Sequence, residues 1–334
     1  MNWLIAVPAW GPRCLPAFLE ATLPALRLAL LRVRGEVRWL VHTDEPSRVR
    51  SVLGKSSLDL LPVPGGSPPH GQLGAANRDA LNSARIGEVV ALVNADMVAS
   101  IELFEAAERR FAQGKRCIVM TGTRTLSGHR PPIGATSRDL LAWAWNHRHP
   151  WIIDTTWGEG KTRTPSLIHF RQGETVVLHG FHLHPFAVLK ERELTFPGVT
   201  TDQDLIEQFP REQVHVVTSA DEASFAEMSP AERSFAHGPN IIDAKSITDW
   251  ATRPNKTTAT HRWLFTHRIN LCGEDKDVGD AAVCAEILAT IDRWEEPAGP
   301  GAMSLVEQRR HERKRQRELR LATRMAQAQR RRRR

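Results

Sequence analysis

Short apolar runs alternate with longer stretches of mixed polarity through the first 125 residues. The runs are too short for helices and rich in β-branched residues, which predicts five strands: Trp3–Val7, Val37–His42, Leu58–Val63, Glu88–Val93 and Arg116–Thr121. The stretches between them carry the spaced apolar positions of helices packed on a sheet. Because strands that alternate with helices build parallel βαβ units, the pattern predicts an α/β fold with a doubly wound, mostly parallel sheet.

The prediction is less regular where Gly and Pro interrupt the pattern. Residues 65–74 (GGSPPHGQLG) are typical of a loop, and a helix is expected over 75–85. Beyond Thr123, residues 137–146 favour a helix, and 151–165 favour a polar loop. Further strands and helices follow, so a mixed C-terminal part is expected. We therefore divide the chain into residues 1–125, 126–240, 241–302 and 303–334.

The charge of the chain is concentrated at its C-terminal end. The chain has 334 residues and a net charge of +7, and residues 309–334 carry 13 Lys and Arg against two acids. Residues 1–308 are thus left slightly acidic, which is not typical of a nucleic-acid-binding fold, and no specific nucleic acid partner is expected. The basic tail, 303–334, is either a solvated extension or attracts an anionic membrane or another polyanion.

The composition of the chain also bears on its cellular location. No apolar stretch approaches the ~18 residues that a membrane span needs, and the N-terminal segment has the pattern of a strand rather than of a signal peptide. The four cysteines are scattered, with no CxxC spacing, which argues against a disulfide framework and a cysteine zinc site. We expect a cytoplasmic protein, with a peripheral position at the inner face of the membrane as the alternative that the tail allows.

Three of the predicted strands end in polar groups: Trp10-Gly11, Thr43-Asp44 and Asn94-Ala95-Asp96. In an open parallel sheet, ligands bind beyond the carboxyl ends of the strands. A carboxylate after the second strand suits a ribose or a base, and one after a central strand suits a divalent cation with substrate phosphates. Neither GxGxxG after the first strand nor a GxxxxGK[ST] motif occurs, so a dinucleotide fold and a P-loop are both unsupported.

These blocks resemble the GT-A fold glycosyltransferases, specifically the inverting family 2. The resemblance lies in the order and spacing of five blocks over about 200 residues. Pro8–Gly11 stands where that family has Pro-x-Tyr-Asn, and Asp44–Ser47 stands where it has Asp-Asp-Gly-Ser. Gly74–Glu88 corresponds to its Ala-Arg-Asn-x-Gly segment. Asn94–Asp96 stands at its Asp-x-Asp position, and Thr201–Leu205 at its Glu-Asp-x-Asp-Leu segment. The chain departs from the family at Asn94 and Thr201, each of which replaces an acid.

The resemblance implies a nucleotide-diphosphate sugar donor bound at the strand ends. It places Pro8, Trp10 and Asp44 at the nucleoside, with Asn77 and Arg78 facing the diphosphate from a helix. Asn94 and Asp96 would complete this donor site. Asp96 would hold the diphosphate through Mg²⁺ or Mn²⁺, although an Asp at this position also caps helices well.

Two further groups are candidates for chemistry on the acceptor. Asp202 would take the proton of the acceptor hydroxyl as general base, with Asp204 as its alternate, although acids at these positions also stabilise a helix start. His182 and His184 share a face if they lie in a strand, and they suit an acceptor contact, with His184 also a candidate metal ligand. Histidines satisfied at a strand rim are the alternative.

The resemblance therefore implies a glycosyltransferase that inverts the anomeric carbon and acts on a saccharide, lipid-linked or protein acceptor. A second hypothesis, which Asn94 and Thr201 make reasonable, is a sugar-nucleotide-binding protein without turnover. A third is a protein that acts on nucleic acid or membranes through residues 303–334. A nucleotidyltransferase is disfavoured because no Gly-rich phosphate loop follows the first strand.

Overall fold

The structure is a computed structural model that describes residues 1–54, 57–64, 69–194, 203–230, 241–253 and 256–295. Asp202 and the basic tail, 303–334, lie outside the described residues. The strands of the described ranges are β1 (Asn2–Pro8), β2 (Val37–His42), β3 (Leu58–Leu61), β4 (Glu88–Leu92), β5 (Met97–Ala99), β6 (Cys117–Met120), β7 (Gly122–Leu126), β8 (Leu167–Gln172), β9 (Thr175–Gly180), β10 (His184–Leu189), β11 (Val214–Val216), β12 (Phe225–Ser229) and β13 (Ile269–Cys272).

Eleven α-helices are found in the described ranges. The α-helices are α1 (Gly11–Ala17), α2 (Leu23–Leu30), α3 (Pro46–Leu53), α4 (Pro69–Ser83), α5 (Leu103–Ala112), α6 (Ser137–Asn146), α7 (Trp151–Asp154), α8 (Gln203–Ile206), α9 (Ala244–Ala251), α10 (Ala259–Phe265) and α11 (Asp280–Glu295). A π-helical segment, Phe18–Thr22, joins α1 to α2. No helix in the described part of the chain combines the length and the apolar character needed to cross a bilayer.

Seven strands form the central sheet in the order β11-β6-β10-β4-β1-β2-β3. All of them are parallel except β10, which runs antiparallel between β4 and β6. The predicted α/β fold with a doubly wound, mostly parallel sheet is thus confirmed. Two strands from beyond residue 126, β10 and β11, complete the sheet that residues 1–125 begin.

The centre of the sheet is buried on both faces, as the continuous apolar run of β1 requires. Trp3, Ile5 and Val7 pack under α1, α2 and α5 on one face, which we call the α1 face. Leu4 and Ala6 pack on the opposite face, under α4, which we call the α4 face. The two faces of the sheet are therefore covered by different helices, and the carboxyl edge of the sheet lies between the two faces.

Two three-stranded sheets lie beside the central sheet, and the first of them combines strands from both halves of the chain. One has the order β5-β12-β7, with β12 parallel to β7 and antiparallel to β5. The other is the antiparallel sheet β13-β9-β8, which α9, α10 and α11 flank. The first of these sheets lies next to the carboxyl edge of β4, because β5 follows β4 after a single turn.

The loop predicted over residues 65–74 is wrong in its second half, since α4 begins at Pro69. A proline fits the first turn of a helix, where its missing N–H is not needed. Gly74, Ala76 and Ala80 are buried, and this packing outweighs the low helix propensity of glycine.

The loop predicted over residues 151–165 is likewise interrupted, by the short helix α7. Trp151 and Ile152 are buried there. The backbone N–H of Trp151 donates to His149 Nδ1 at 3.0 Å, which satisfies one amide at the start of the helix. Local burial thus orders a segment whose composition is typical of a loop.

Candidate functional site

The candidate site lies at the carboxyl edge of the central sheet, where the predicted polar groups follow β1, β2 and β4. Because these three strands are adjacent and parallel, the sheet brings their ends together. The antiparallel β10 starts at the same edge, since His184 pairs with Met120, the last residue of β6.

The ends of β1 and β2 are tied to each other through a carboxylate. Gly11 donates its backbone N–H to both oxygens of Asp44, at 3.2 and 3.0 Å. Gly11 has a φ of +78°, a left-handed conformation that favours glycine. Pro8 and Trp10 of the same turn are half-buried, and Asp44 is exposed. The turn therefore holds the Asp44 carboxylate at the edge while leaving it accessible to a ligand.

Helix α4 presents Asn77 and Arg78 next to this edge. Asn77 is buried and Arg78 half-buried. The helix is anchored to β2 because buried His42 lies 3.0 Å through its Nε2 from an Asp79 carboxylate oxygen. At the other end of α4, the buried Lys190 ammonium donates to the carbonyl oxygens of Leu81 and Ala84 at 2.9 and 3.0 Å.

The turn between β4 and β5 carries Asn94 and Asp96, both half-buried. Its backbone is fixed from two directions. The Thr22 hydroxyl donates to the Ala95 carbonyl at 2.7 Å, and the Met228 N–H of β12 donates to the Asp96 carbonyl at 2.8 Å. The π-helical segment and β12 thus fix the backbone of the turn that carries Asp96, the candidate metal ligand.

A cavity of about 630 Å³ opens beside Asp96. Its size suits a small organic ligand. The walls come from α1, the π-helical segment, β12 and the loop after β7, and its polar lining includes Arg13, Glu20, Ser127, His129 and Arg130. We call it the Asp96 cavity. These lining residues were missed in the sequence because no local pattern links the loop after β7 to α1.

The two candidate histidines do not share a strand, because β10 begins only at His184. His184 is exposed at the carboxyl edge. His182 precedes the strand: its Nε2 donates to the Lys256 carbonyl at 3.0 Å, and its ring stacks on His261 with centroids 4.4 Å apart. The two side chains thus have different surroundings.

Of the two candidate bases, only Asp204 belongs to the described residues. It lies in the first turn of α8 and is half-buried. Leu205 and Ile206 of that helix are buried on the α4 face. Within the described ranges, no three or more His, Cys, Asp or Glu side chains are arranged to hold a metal ion.

Comparisons with known proteins give only distant similarity. No protein-family model matches the sequence, and no curated protein matches it. A crystal structure of S. aureus TarS 1–349 is 13% identical, covering 88% of this chain and 71% of that one, with a TM-score of 0.37. The same TarS fragment in complex with UDP is 11% identical over the same shares, with a TM-score of 0.35.

A further similar structure is HddC from Yersinia pseudotuberculosis. It is 10% identical, with 68% of this chain and 93% of that chain covered, and its TM-score is 0.34. The fold of the present chain follows from the order and direction of its strands. It is a GT-A-like α/β fold, as the sequence predicts.

Proposed function

We propose that this protein is a glycosyltransferase that uses a nucleotide-diphosphate sugar. The observation that carries the proposal is the convergence of Asp44 and Asp96 at one carboxyl edge, beside the Asp96 cavity. Ligands of open α/β sheets bind at this edge. The Asp44 carboxylate is held by the Gly11 N–H, and the backbone of the turn that carries Asp96 is held by Thr22 and Met228. Two carboxylates fixed in this way at one edge suit a donor that has both hydroxyls and phosphates.

In this proposal the donor lies along the edge from β2 to β4. Asp44 accepts hydrogen bonds from the ribose or base, near the half-buried Pro8 and Trp10. Asn77 and Arg78 of α4 stabilise the diphosphate, since guanidinium and amide groups donate to phosphate oxygens. The anchoring of α4 through His42 and Lys190 keeps these donors at a fixed height above the sheet.

A divalent cation, Mg²⁺ or Mn²⁺, fits this arrangement through Asp96 and the substrate. Such ions often bind through one or two carboxylates, with substrate phosphates and water completing the shell. Asp96 supplies the carboxylate, Asn94 a neutral oxygen, and His184 is the further candidate ligand on the same edge. When bound, the cation would neutralise the charge that develops on the leaving diphosphate.

The acceptor hydroxyl attacks the anomeric carbon as the bond to the diphosphate breaks, which inverts that carbon. Its proton passes to a carboxylate, for which Asp202 is our candidate and Asp204 the alternate. His182 and His184 remain candidates for contacts with a saccharide, lipid-linked or protein acceptor. The association of residues 303–334 with an anionic membrane or polyanion is a separate proposal that deletion of those residues would test.

The first experiment is a thermal-shift and calorimetric screen of nucleoside diphosphates and nucleotide sugars, with and without Mn²⁺. A ligand at one hundred times its Kd stabilises a protein by about 2.7 kcal/mol. We expect a Mn²⁺-dependent shift that Asp96→Asn abolishes. The matched control is Asp249→Asn, which removes a carboxylate from α9 that pairs with Lys245.

Absence of any nucleotide-dependent shift in the folded protein would refute the donor site. Retention of the full shift in Asp96→Asn would refute the role of Asp96. Release of free sugar from the identified donor then measures turnover, and binding without release would favour the non-catalytic alternative that Asn94 raises.

A further inference from the structure

The Asp96 cavity contains charges that the proposed donor site does not use. Arg13 of α1 and Arg130 of the loop after β7 both line it. Neither guanidinium forms a hydrogen bond or an ion pair with any residue in the described ranges, and Glu20, in the π-helical segment, has none there either. These three side chains are exposed. The cavity thus combines two cations and an anion that have no partner among the residues that the structure describes.

Two arginines that face one cavity favour an anionic ligand. A guanidinium presents parallel N–H donors that match the oxygens of a carboxylate or a phosphate. Other arginines of this chain form such pairs internally, as Arg138 does with Asp221 at 2.6 and 2.7 Å. Arg13 and Arg130 have the same chemistry, and a ligand in the cavity would supply them with a partner of this kind.

The acidic residues of the lining make the cavity a poor site for a simple anion such as phosphate. Asp96 and Glu20 also face the cavity, and their carboxylates repel a bare phosphate. Carboxylates accept hydrogen bonds from hydroxyl groups. A ligand that carries hydroxyls at one end and an anion at the other satisfies both pairs, which is the chemistry of an acidic or phosphorylated sugar.

An aromatic column supports the wall of the cavity. The ring of His129 lies 4.4 Å from that of His147, which stacks on Trp143 with centroids 4.9 Å apart. His147 is fixed in turn by its Nδ1, which donates to the Trp143 carbonyl at 2.9 Å. Contact with His147 therefore supports the His129 ring at the wall of the cavity.

The position of the cavity relates it to the acceptor rather than to the donor. Arg13 and Glu20 belong to the helical stretch on the α1 face, whereas Asn77 and Arg78 of the proposed donor site belong to α4 on the opposite face. Asp96, in the turn after β4, lies between the two. A ligand in the cavity approaches Asp96 from the side opposite to α4.

We propose that the Asp96 cavity is the acceptor subsite and that the acceptor is a saccharide bearing a phosphate or a carboxylate group. Arg13 and Arg130 bind the anion, and Glu20 accepts a hydrogen bond from a hydroxyl. This assignment rests on the proposed glycosyltransferase function, in which Asn77 and Arg78 hold the donor diphosphate from the α4 side.

Calorimetric titration of the full chain tests the assignment with three probes: glucose 6-phosphate, glucuronate and glucose. We expect one of the anionic sugars to bind, and glucose to bind at least tenfold more weakly. Arg13→Gln and Arg130→Gln should each weaken the anionic sugar about tenfold or more, because each removes a charge-assisted pair. The matched control is Arg109→Gln, which removes an exposed arginine that pairs with Glu105 on α5 and should bind as the wild type does.

Equal binding of glucose and both anionic sugars, or unchanged affinity in both arginine variants, would overturn the proposal. Parallel titration with UDP separates the two sites. If the arginine variants lose UDP affinity as much as they lose sugar affinity, the cavity holds the donor diphosphate and the acceptor assignment is wrong. Failure of the glycosyltransferase proposal itself has another signature, namely no nucleoside diphosphate binding by the wild type while the anionic sugar still binds.

Discussion

The hydroxyl of Thr22 donates a buried 2.7 Å hydrogen bond to the carbonyl of Ala95. Thr22 ends the π-helical segment Phe18–Thr22, and Ala95 lies between Asn94 and Asp96. π-Helical turns are rare and occur frequently at functional sites. Here the turn places a hydroxyl of the first helical stretch on the backbone that carries the candidate metal ligand, so a distant part of the chain fixes Asp96.

Replacing Thr22 should therefore affect both stability and ligand binding. Thr22→Val keeps the shape but leaves the buried Ala95 carbonyl without its donor, which should cost about 1–3 kcal/mol of unfolding free energy. We expect Mn²⁺-dependent nucleotide binding to weaken as well, and Thr22→Ser to retain both properties. Urea unfolding and calorimetry measure the two effects.

The control for this prediction is Thr252→Val. The Thr252 hydroxyl is also buried and donates to a backbone carbonyl, that of Thr248, at 2.8 Å, but at the end of α9. This variant should lose stability without losing nucleotide affinity. If Thr22→Val behaves in the same way, Thr22 contributes to folding alone.

Lys190 should be important for stability although it lies outside the candidate site. Its buried ammonium donates to two carbonyls at the C-terminal end of α4, where a positive charge also interacts favourably with the helix dipole. Lys190→Met should lower the unfolding free energy by about 2–3 kcal/mol. Lys115→Met, which removes a single exposed hydrogen bond to the Glu212 carbonyl, should cost less than about 1 kcal/mol. Equal losses in the two variants would contradict the helix-capping role.

Substitutions at the contact between Asp44 and Gly11 distinguish the role of the Asp44 charge from the role of its hydrogen bond. Asp44→Asn retains an oxygen that can accept from the Gly11 N–H, so stability should change little while nucleoside affinity falls. Asp44→Ala should lose both. Gly11→Ala tests the backbone alone: no atom lies within 4 Å of the added Cβ, so the expected cost of about 1–2 kcal/mol comes from the φ of +78°. Nucleotide titration and thermal unfolding of the three variants give the comparison.

His169 should make stability depend on pH. Burial lowers the pKa of its imidazole to about 4, and its Nδ1 lies 2.9 Å from the Thr155 hydroxyl. The unfolded chain binds this proton near pH 6.5, whereas the folded chain resists it down to about pH 4. The unfolding free energy should therefore decrease as pH falls through this window, by on the order of 3 kcal/mol in total.

Urea unfolding at pH 7 and pH 4.5 measures this effect. His169→Phe should show a smaller difference between the two pH values than the wild type does. The exposed His129 supplies the control, since His129→Gln should keep the wild-type difference. An unchanged difference in His169→Phe would show that other groups cause the pH dependence.

The sequence predicts the parallel part of the sheet well because its strands are buried on both faces and therefore appear as continuous apolar runs. The same pattern brings Asp44 and Gly11 to one edge before any contact is known. It does not predict that β10 enters between β4 and β6, since strand order depends on tertiary packing. Asp202, the candidate base, stays a prediction because it lies outside the described residues.

The missed features have a common physical cause. Arg13 and Arg130 come together only through the packing of a loop against a helix far away in the chain. In the sequence, Lys190 follows an apolar strand, as many surface lysines do. It is buried because α4 packs against it. None of these residues has a local periodicity that marks its role.

The antiparallel strand β10 has a consequence for biosynthesis. On the ribosome, β4 is complete at Leu92, but its partner does not begin until His184. At 5–20 residues per second, the free edge of β4 waits roughly 5–20 s for β10, and β6, which is complete at Met120, waits roughly 3–13 s. During this interval the nascent chain exposes unpaired strand edges, the kind of surface that chaperones protect and that can lead to aggregation. Translation speed across the intervening residues thus sets how long the emerging sheet stays open.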